Sequence, residues 1–472
     1  MTAPLARRRL LALFAASALA GPAFGAGRRP NIVLIVADDL GYGDLGCQGG
    51  KDVATPNIDR LATQGVRMTD FYANHPSCGP SRAAMLSGRY QQRFGFENNA
   101  GPAQYEDPAV GLPRDHGGTL AERLKAQGYA TGAVGKWHTG YLPGNLPTGR
   151  GFDSFYGFVG GAMAYTPDGA SGDKAILRGT SPAPMPAHTT EAFTDEAVAF
   201  VEANRERPFF LYAAFNAVHA PLQTTARYLD RVAAQADPKR RTYLAMLAAL
   251  DDAVGRIVSA VDAAGVARDT LIVFTSDNGG PTWQTTSSNR PLNGMKGTVL
   301  EGGVRVATIF RWPGRLPAGR VSSAVGTGFD ITATALALAG SPRTPDLDGV
   351  DLTPVLAGGA GPADRPLFWR LGPQGAVRRG DWKAVKAEDR WWLFDLSRDV
   401  GERNDLAAAR PAVLARLKAD WTRWSDAMPP PAWGSLNRSG RAGTGEVRGL
   451  IEDFVAGRPV NPRSLLYGGG PE

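Results

Sequence analysis

Four oxygen-bearing side chains, Asp38, Asp39, Asp277 and Asn278, occur in this chain as two widely separated adjacent pairs. Carboxylate and amide oxygens suit a hard cation, calcium first and magnesium less well, and suit zinc poorly. The chain has five histidines, His75, His116, His138, His188 and His219, too few and too scattered for a histidine-built zinc cluster. The second chemical signal is Cys78, at the head of Cys78-Gly79-Pro80-Ser81-Arg82. Cys47 is the only other cysteine, and two cysteines in an exported protein read first as a disulfide. The local sequence opposes that pairing. Proline suits the first turn of a helix, so Cys78 is expected just before a helix N-terminus, where free N–H groups and the dipole favour an anionic, metal-bound group. Arg82, one turn further on, can reach back with a permanently charged planar fork.

These residues can act together only if the fold brings them to one place, and the strand pattern supplies the means. Asn31 to Val36 is a continuous apolar run of buried-strand type that stops at Asp38-Asp39. Thr119 and Glu122 form a capping box opening a helix that Gly128 closes, and the strand from Tyr129 to Val134 leads to Lys136 and His138. A helix with Asp195 and Glu196 in its first turn ends near Asn204, and the strand Phe209 to Phe215 runs into His219. Leu244, Leu247, Leu250, Val254, Ile257, Val258 and Val261 stand at helical spacing, and the strand after that helix ends at Asp277-Asn278. Strands alternating with helices imply an α/β fold with a large mostly parallel sheet sandwiched by helices, whose ligands gather at the carboxyl ends of the strands. Singly, each polar tip is an ordinary turn or cap. Their recurrence after four strands predicts one site. His75, His116 and His188 fall in loop-like stretches and receive no role.

Composition bounds the rest. A 43% apolar share over 472 residues is enough for a large core. A net charge of +7 without basic runs interleaved with aromatics gives no support for nucleic-acid binding. Residues 1–25 read as an export signal: a basic start, the short apolar run Leu10 to Ala20, and the small-residue site Ala23-Phe24-Gly25. Arg7-Arg8-Arg9 admits a twin-arginine version. No later run is long and charge-free enough to span a bilayer, so the expectation is an exported protein, periplasmic or secreted, without a stable membrane anchor.

Cys78-Gly79-Pro80-Ser81-Arg82, continuing to Leu86-Ser87-Gly88-Arg89, is similar to the C-x-P-S-R-x-x-x-[LM]-[TS]-G-R signature of type I formylglycine-dependent sulfatases of the alkaline-phosphatase superfamily. The resemblance extends through Pro30 to Gly46, Gly135 to Gly140, Asn216 to Gln223 and Pro291 to Val306. It implies that a formylglycine-generating enzyme oxidises Cys78 to formylglycine, whose hydrate attacks a sulfate ester. Asp38, Asp39, Asp277 and Asn278 would bind calcium together with the modified Cys78. Arg82 and Lys136 would hold the hydrate, Lys136, His219 and Lys296 the sulfate oxygens. His219, with Lys296, would protonate the leaving alcohol, and His138 would take a proton from the second hydroxyl so that sulfate departs. Met295 before Lys296, Thr139 after His138 and Ala307 after Val306 depart from the usual pattern, and none removes a catalytic group.

The sulfatase reading places the catalytic domain at residues 26–360, a small antiparallel sheet plus helix at 361–427, and a Gly/Pro-rich tail at 428–472. Trp382, Trp391 and Trp392 in that sheet read as core before they read as a sugar platform. Specificity would come from loops at 90–113, 139–194 and 281–290, with Arg93, Tyr105, Tyr165, Trp283 and Arg290 as the groups suited to a sulfated saccharide. Two other functions fit the same residues: a phosphate or phosphonate ester hydrolase, against which Asn278 stands where related phosphatases carry histidine, and a non-catalytic sulfoglycan binder if Cys78 stays unmodified.

Overall fold

The computed structural model describes residues 29–101, 104–114, 117–167, 175–342, 344–361, 364–434 and 445–460. The expected export signal, His116 and parts of the tail lie outside the described residues.

A ten-stranded sheet forms the centre of the molecule. Thr270–Ser276, Asn31–Ala37, Phe209–Ala214, Ala130–Lys136 and Ser154–Phe158 lie side by side in that order, all parallel. Toward one edge Thr308–Arg311 pairs antiparallel with both Thr270–Ser276 and Val66–Met68, and toward the other Ile176–Arg178 and Ser181–Ala183 form an antiparallel hairpin. The expected parallel sheet is thus the five-strand middle, and the edges make it mixed.

Both faces of the middle are covered, which is why its strands read as unbroken apolar runs. Val33, Ile35 and Ala37 enter one core beneath the helix Pro238–Ala263, while Ile32, Leu34 and Val36 enter the other. Asp237 caps that helix by accepting from the Lys239 and Arg240 N–H groups at 2.9 and 3.3 Å. The capping box of Thr119 and Glu122 opens Leu120–Lys125 as the sequence predicts. One expectation shifts. The helix Thr189–Asn204 starts before Asp195 and Glu196, which therefore do not face its N-terminus but pair sideways with Arg256 and Arg178.

Leu367–Leu371, Gln374–Arg379, Trp382–Ala387 and Arg390–Asp395 form the small antiparallel sheet, in that order, with the helix Pro411–Asp426 against it. Trp392 is fully buried there, and Trp382 and Trp391 pack on the same core. The described tail lies across the body. Trp433 exchanges hydrogen bonds with Asn98 at 2.8 and 3.0 Å, and the helix Glu446–Ala456 seats Val447 and Ile451 on the small core and Leu450 on Met295.

Candidate active site

The parallel register fixes where the polar tips meet. Ala37 lies opposite Ser276, and Val36 and Gly135 both lie opposite Ala214, so Asp38, Asp277, the loop to His219 and Lys136 leave the same edge of the sheet. Asp39 and His138 take left-handed backbone conformations, φ 61° and 57°, which cost non-glycine residues energy and turn these two side chains sharply off their strands. Cys78 reaches the same edge as the first residue of the helix Cys78–Ser87, one position further in than expected. Neither cysteine is bonded to the other. The Cys78 thiol lies 3.4 Å from an Asp38 oxygen and 3.9 Å from an Asp39 oxygen instead.

Around it, charge is closely balanced. Lys136 Nζ sits 2.6 Å from Asp38, Lys296 Nζ 2.7 and 2.8 Å from the two Asp39 oxygens, and Arg82 Nε 2.8 Å from Asp277. Arg82 also donates to the Lys136 carbonyl at 3.1 Å and lies 3.8 Å from Asp38. Three buried carboxylates thus face three cations, a neutral set that a dication would make positive enough to hold an anionic ester. Burial alone would raise Asp38, but Lys136, then His219 and Arg82, outweigh it and keep the carboxyl ionised. Burial, then the Asp277 and Asp38 carboxylates, push the Cys78 thiol far up, so as a cysteine it stays protonated.

The carboxylate and amide oxygens at this edge suit a hard cation, with a sulfur and an imidazole nitrogen beside them. One atom each from Asp38, Asp39, Cys78 and His219 lie within 4.8 Å of one another. Asn278 Oδ1 is buried without a hydrogen-bond partner while its amide nitrogen donates to Asp39 at 2.7 Å. An orphaned carbonyl oxygen beside three carboxylates is the setting calcium prefers.

The two histidines differ. His219 donates Nδ1–H to the Ala220 carbonyl at 2.5 Å, which leaves Nε2, 3.5 Å from Asp39, as the end that gains or loses a proton. His138 is buried with Nδ1 unpartnered, and burial, then Lys136 and Arg82, hold it well below its ordinary range, hence neutral.

The structure gathers all ten of the sequence's site residues at this edge, and it separates the substrate-loop candidates. Tyr105 stacks on Tyr141, ring centroids 3.7 Å apart, beside Gly160. Arg93 is committed to Asp348 through bonds of 2.6 and 2.7 Å, and Tyr165 is buried. Trp283 packs near Met295, and Arg290 lines a groove of about 590 Å³ with Lys51 and Arg240. Met295 is buried under Leu450 of the tail helix, and Lys296 still reaches Asp39. Sequence reading missed Asn99, whose side chain accepts the Gly79 N–H at 3.0 Å, and Tyr212, whose hydroxyl meets Arg82 at 3.5 Å. Asn99 carries no local signal, and Tyr212 is one apolar-run residue among several.

A family model described as Sulfatase matches residues 30–341. N-acetylgalactosamine-6-sulfatase of Canis lupus familiaris is 36% identical over 399 residues, covering 80% of this chain and 75% of that protein. Arylsulfatase A of Homo sapiens is 36% identical over 480 residues, covering 87% and 89%. The solved structure of Ps i-CgsB in complex with k-i-k-neocarrahexaose has a TM-score of 0.82 at 35% identity, covering 90% of this chain and 98% of that one. A phosphonate monoester hydrolase of Agrobacterium radiobacter, 22% identical with a TM-score of 0.63, shares the fold. With the family model spanning most of the chain and the charged strand ends gathered around a buried cysteine, the protein belongs to the sulfatase family and is a sulfuric-ester hydrolase.

Proposed function

We propose that the protein removes sulfate from a sulfated carbohydrate, using formylglycine made from Cys78 and a calcium ion. The observation that carries this reading is the Cys78 side chain, buried at a helix N-terminus against Asp38 and Asp39 and far too weak an acid to act as a thiolate. A free thiol there has no acid–base use, whereas the hydrated aldehyde supplies one hydroxyl for attack on sulfur and a second for release of sulfate. Asp38, Asp39, Asp277 and Asn278 would hold calcium, which when bound polarises a sulfate oxygen.

The chain's own groups fill the remaining roles. Arg82, fixed by Asp277 and the Lys136 carbonyl, orients residue 78. Lys136 and Lys296 neutralise the carboxylates and, on flexible stems, can turn to a sulfate oxygen. His219 Nε2 faces this space and gives a proton to the departing oxygen. Burial, then Lys296, lower its pKa, and an anionic ester arriving beside it favours the protonated form. His138, held neutral by burial, would accept a proton from the residue 78 hydrate, and its backbone carbonyl packs against Gly79.

For the substrate, the Tyr105–Tyr141 stack offers an aromatic face near the site, and a structural relative was solved in complex with k-i-k-neocarrahexaose. Export through residues 1–25 agrees with a substrate met outside the cytoplasm, and among the described residues no helix is long and apolar enough to cross a membrane.

Mass spectrometry of the tryptic peptide Met68–Arg82 from active protein is expected to show the aldehyde at residue 78. Full activity with only a thiol there sinks the reading. Chelation should stop turnover and calcium restore it. Cys47→Ala should keep substantial activity, since Cys47 is half-buried and unbonded. Higher kcat/KM on sulfated oligosaccharides than on 4-nitrophenyl sulfate is expected, and the reverse preference removes the carbohydrate assignment.

A further inference from the structure

The stretch Gly160 to Tyr165 touches both histidines of the site. A methyl group on Gly161 would lie 2.9 Å from His138 Nε2, so the backbone here packs directly against that ring. Four residues further along the loop, Tyr165 is 1% exposed, and its hydroxyl lies 2.5 Å from the Asn216 carbonyl and 2.9 Å from the His219 carbonyl. The phenol has one proton and shares it between the two oxygens. Burial, then the Asp38 and Asp39 carboxylates, push its pKa far above the ordinary tyrosine range, so it remains a donor. Its backbone N–H donates to Gln223 Oε1 at 2.9 Å, which ties the same residue to the chain beyond His219.

The segment carrying His219 is thus held on two sides. On one, Asp38 N–H donates to the Ala217 carbonyl at 2.9 Å and Val218 N–H to the Asp38 carbonyl at 2.8 Å. On the other stands Tyr165. The His219 ring is held at Nδ1 by the Ala220 carbonyl, in the peptide next to the one Tyr165 grips, while Nε2 faces Asp39 at 3.5 Å. A shift of the His219 carbonyl therefore moves the ring, and a proton donor displaced by about 1 Å loses much of its effect.

We propose that Tyr165 is a positioning residue that sets His219 Nε2 against the departing oxygen of the ester. Through it, the substrate-side loop and the proton donor move as one unit. The inference rests on His219 being that donor.

The experiment uses the formylglycine-bearing, calcium-supplied enzyme and two esters. 4-Nitrophenyl sulfate has a leaving group that departs without a proton, whereas phenyl sulfate releases a phenolate of pKa about 10, comparable with tyrosine. Tyr165→Phe, which keeps the ring and deletes the hydroxyl, is expected to lower kcat on phenyl sulfate by about 10- to 100-fold. On 4-nitrophenyl sulfate the change should stay within about threefold, with KM little altered on either ester. His219→Ala is run beside it and should show the same selectivity, larger. Equal losses on both esters for Tyr165→Phe mean a purely structural role and overturn the inference, as does an unchanged Tyr165→Phe beside a selective His219→Ala. A His219→Ala that does not distinguish the esters overturns the donor assignment itself and the inference with it. If Tyr165→Phe does not fold, Gln223→Met serves, weakening the same anchor at its backbone; it should show the same leaving-group pattern more weakly, and a uniform loss counts against the proposal.

Discussion

Among the described residues, one buried charge cluster stands at the strand ends and another at the joint between the large sheet and the small one. At the joint Glu301 meets Lys383 at 2.8 Å, Arg305 at 3.1 Å and the Tyr72 hydroxyl at 2.7 Å, while Asp70 meets Arg305 and Arg378 at 2.8 Å each. Glu402 approaches Lys383 at 2.9 Å and accepts the Glu301 N–H at 2.7 Å. Both clusters balance carboxylates with cations away from water. They differ in which cations and in what is left over. The joint uses two guanidinium forks around a fully buried lysine, and both Glu301 oxygens are engaged. The active site sets two lysines on Asp38 and Asp39 and a single guanidinium, Arg82, on Asp277, and leaves Asn278 Oδ1 and His138 Nδ1 without hydrogen-bond partners among the described residues. Saturated forks hold a structure still; ammonium groups on flexible stems and orphaned polar atoms describe a place made to exchange partners.

The same substitution in both clusters separates them most widely. Lys136→Met removes the Asp38-bound cation proposed to hold a sulfate oxygen, and kcat/KM should fall by about 10³-fold or more. With calcium bound, Tm should shift by only a few degrees, about what 1 kcal/mol gives, because the ion compensates Asp38. A collapse of the fold in calcium would erase the distinction. Lys383→Met should do the opposite. It leaves Glu301 and Glu402 buried with their shared cation gone, a loss of about 3–5 kcal/mol in denaturant unfolding, while the kcat of the folded fraction changes little.

How legible this was from sequence differs between the clusters for a physical reason. The active-site residues each follow an apolar run, so a local pattern announces a strand and the next polar residue falls at its end, as with Asp38 after Asn31–Ala37. The parallel order then does the gathering. The joint has no such grammar. Glu301, Lys383 and Glu402 come from a short helix, a strand and a turn, and only the tertiary fold makes them neighbours. Likewise, nothing local in the sequence shows that Tyr165 reaches two carbonyls or that Arg93 pairs with Asp348. The acidic pair Asp195-Glu196 imitated a helix start because lateral pairing with Arg256 and Arg178 leaves the same trace in sequence as a helix dipole does.

A smaller effect tests the guanidinium half of the contrast. Arg378→Lys keeps the charge but cannot serve Asp70 and the Tyr72 hydroxyl together, as Arg378 does. Stability should drop by about 1–2 kcal/mol with turnover intact. No loss would mean that the fork geometry at the joint is incidental.

The smallest expected effect is a slope with pH. Burial, opposed by Lys383 and reinforced by the Glu301 carboxylate, raises Glu402 from 4.5 to about 7. Burial would raise Glu301 as well, but Lys383, Arg305 and Arg378 overcome it and hold that group at about 2. The two therefore act in separate windows. Between 4.5 and about 7 the folded chain binds more protons at Glu402 than the unfolded chain does, so this residue makes stability fall as pH rises through that window. Glu301 works the other way: its contribution is complete above 4.5 and is lost as pH falls toward 2. Glu402→Gln keeps the carbonyl that accepts the Glu301 N–H and removes the titration. Its Tm should therefore decline less between pH 5 and pH 7 than that of the parent, by a few degrees, and the two should behave alike on the acid side, where Glu301 governs. Parallel curves through the upper window would place the titrating group elsewhere and leave the joint a fixed strut at every pH.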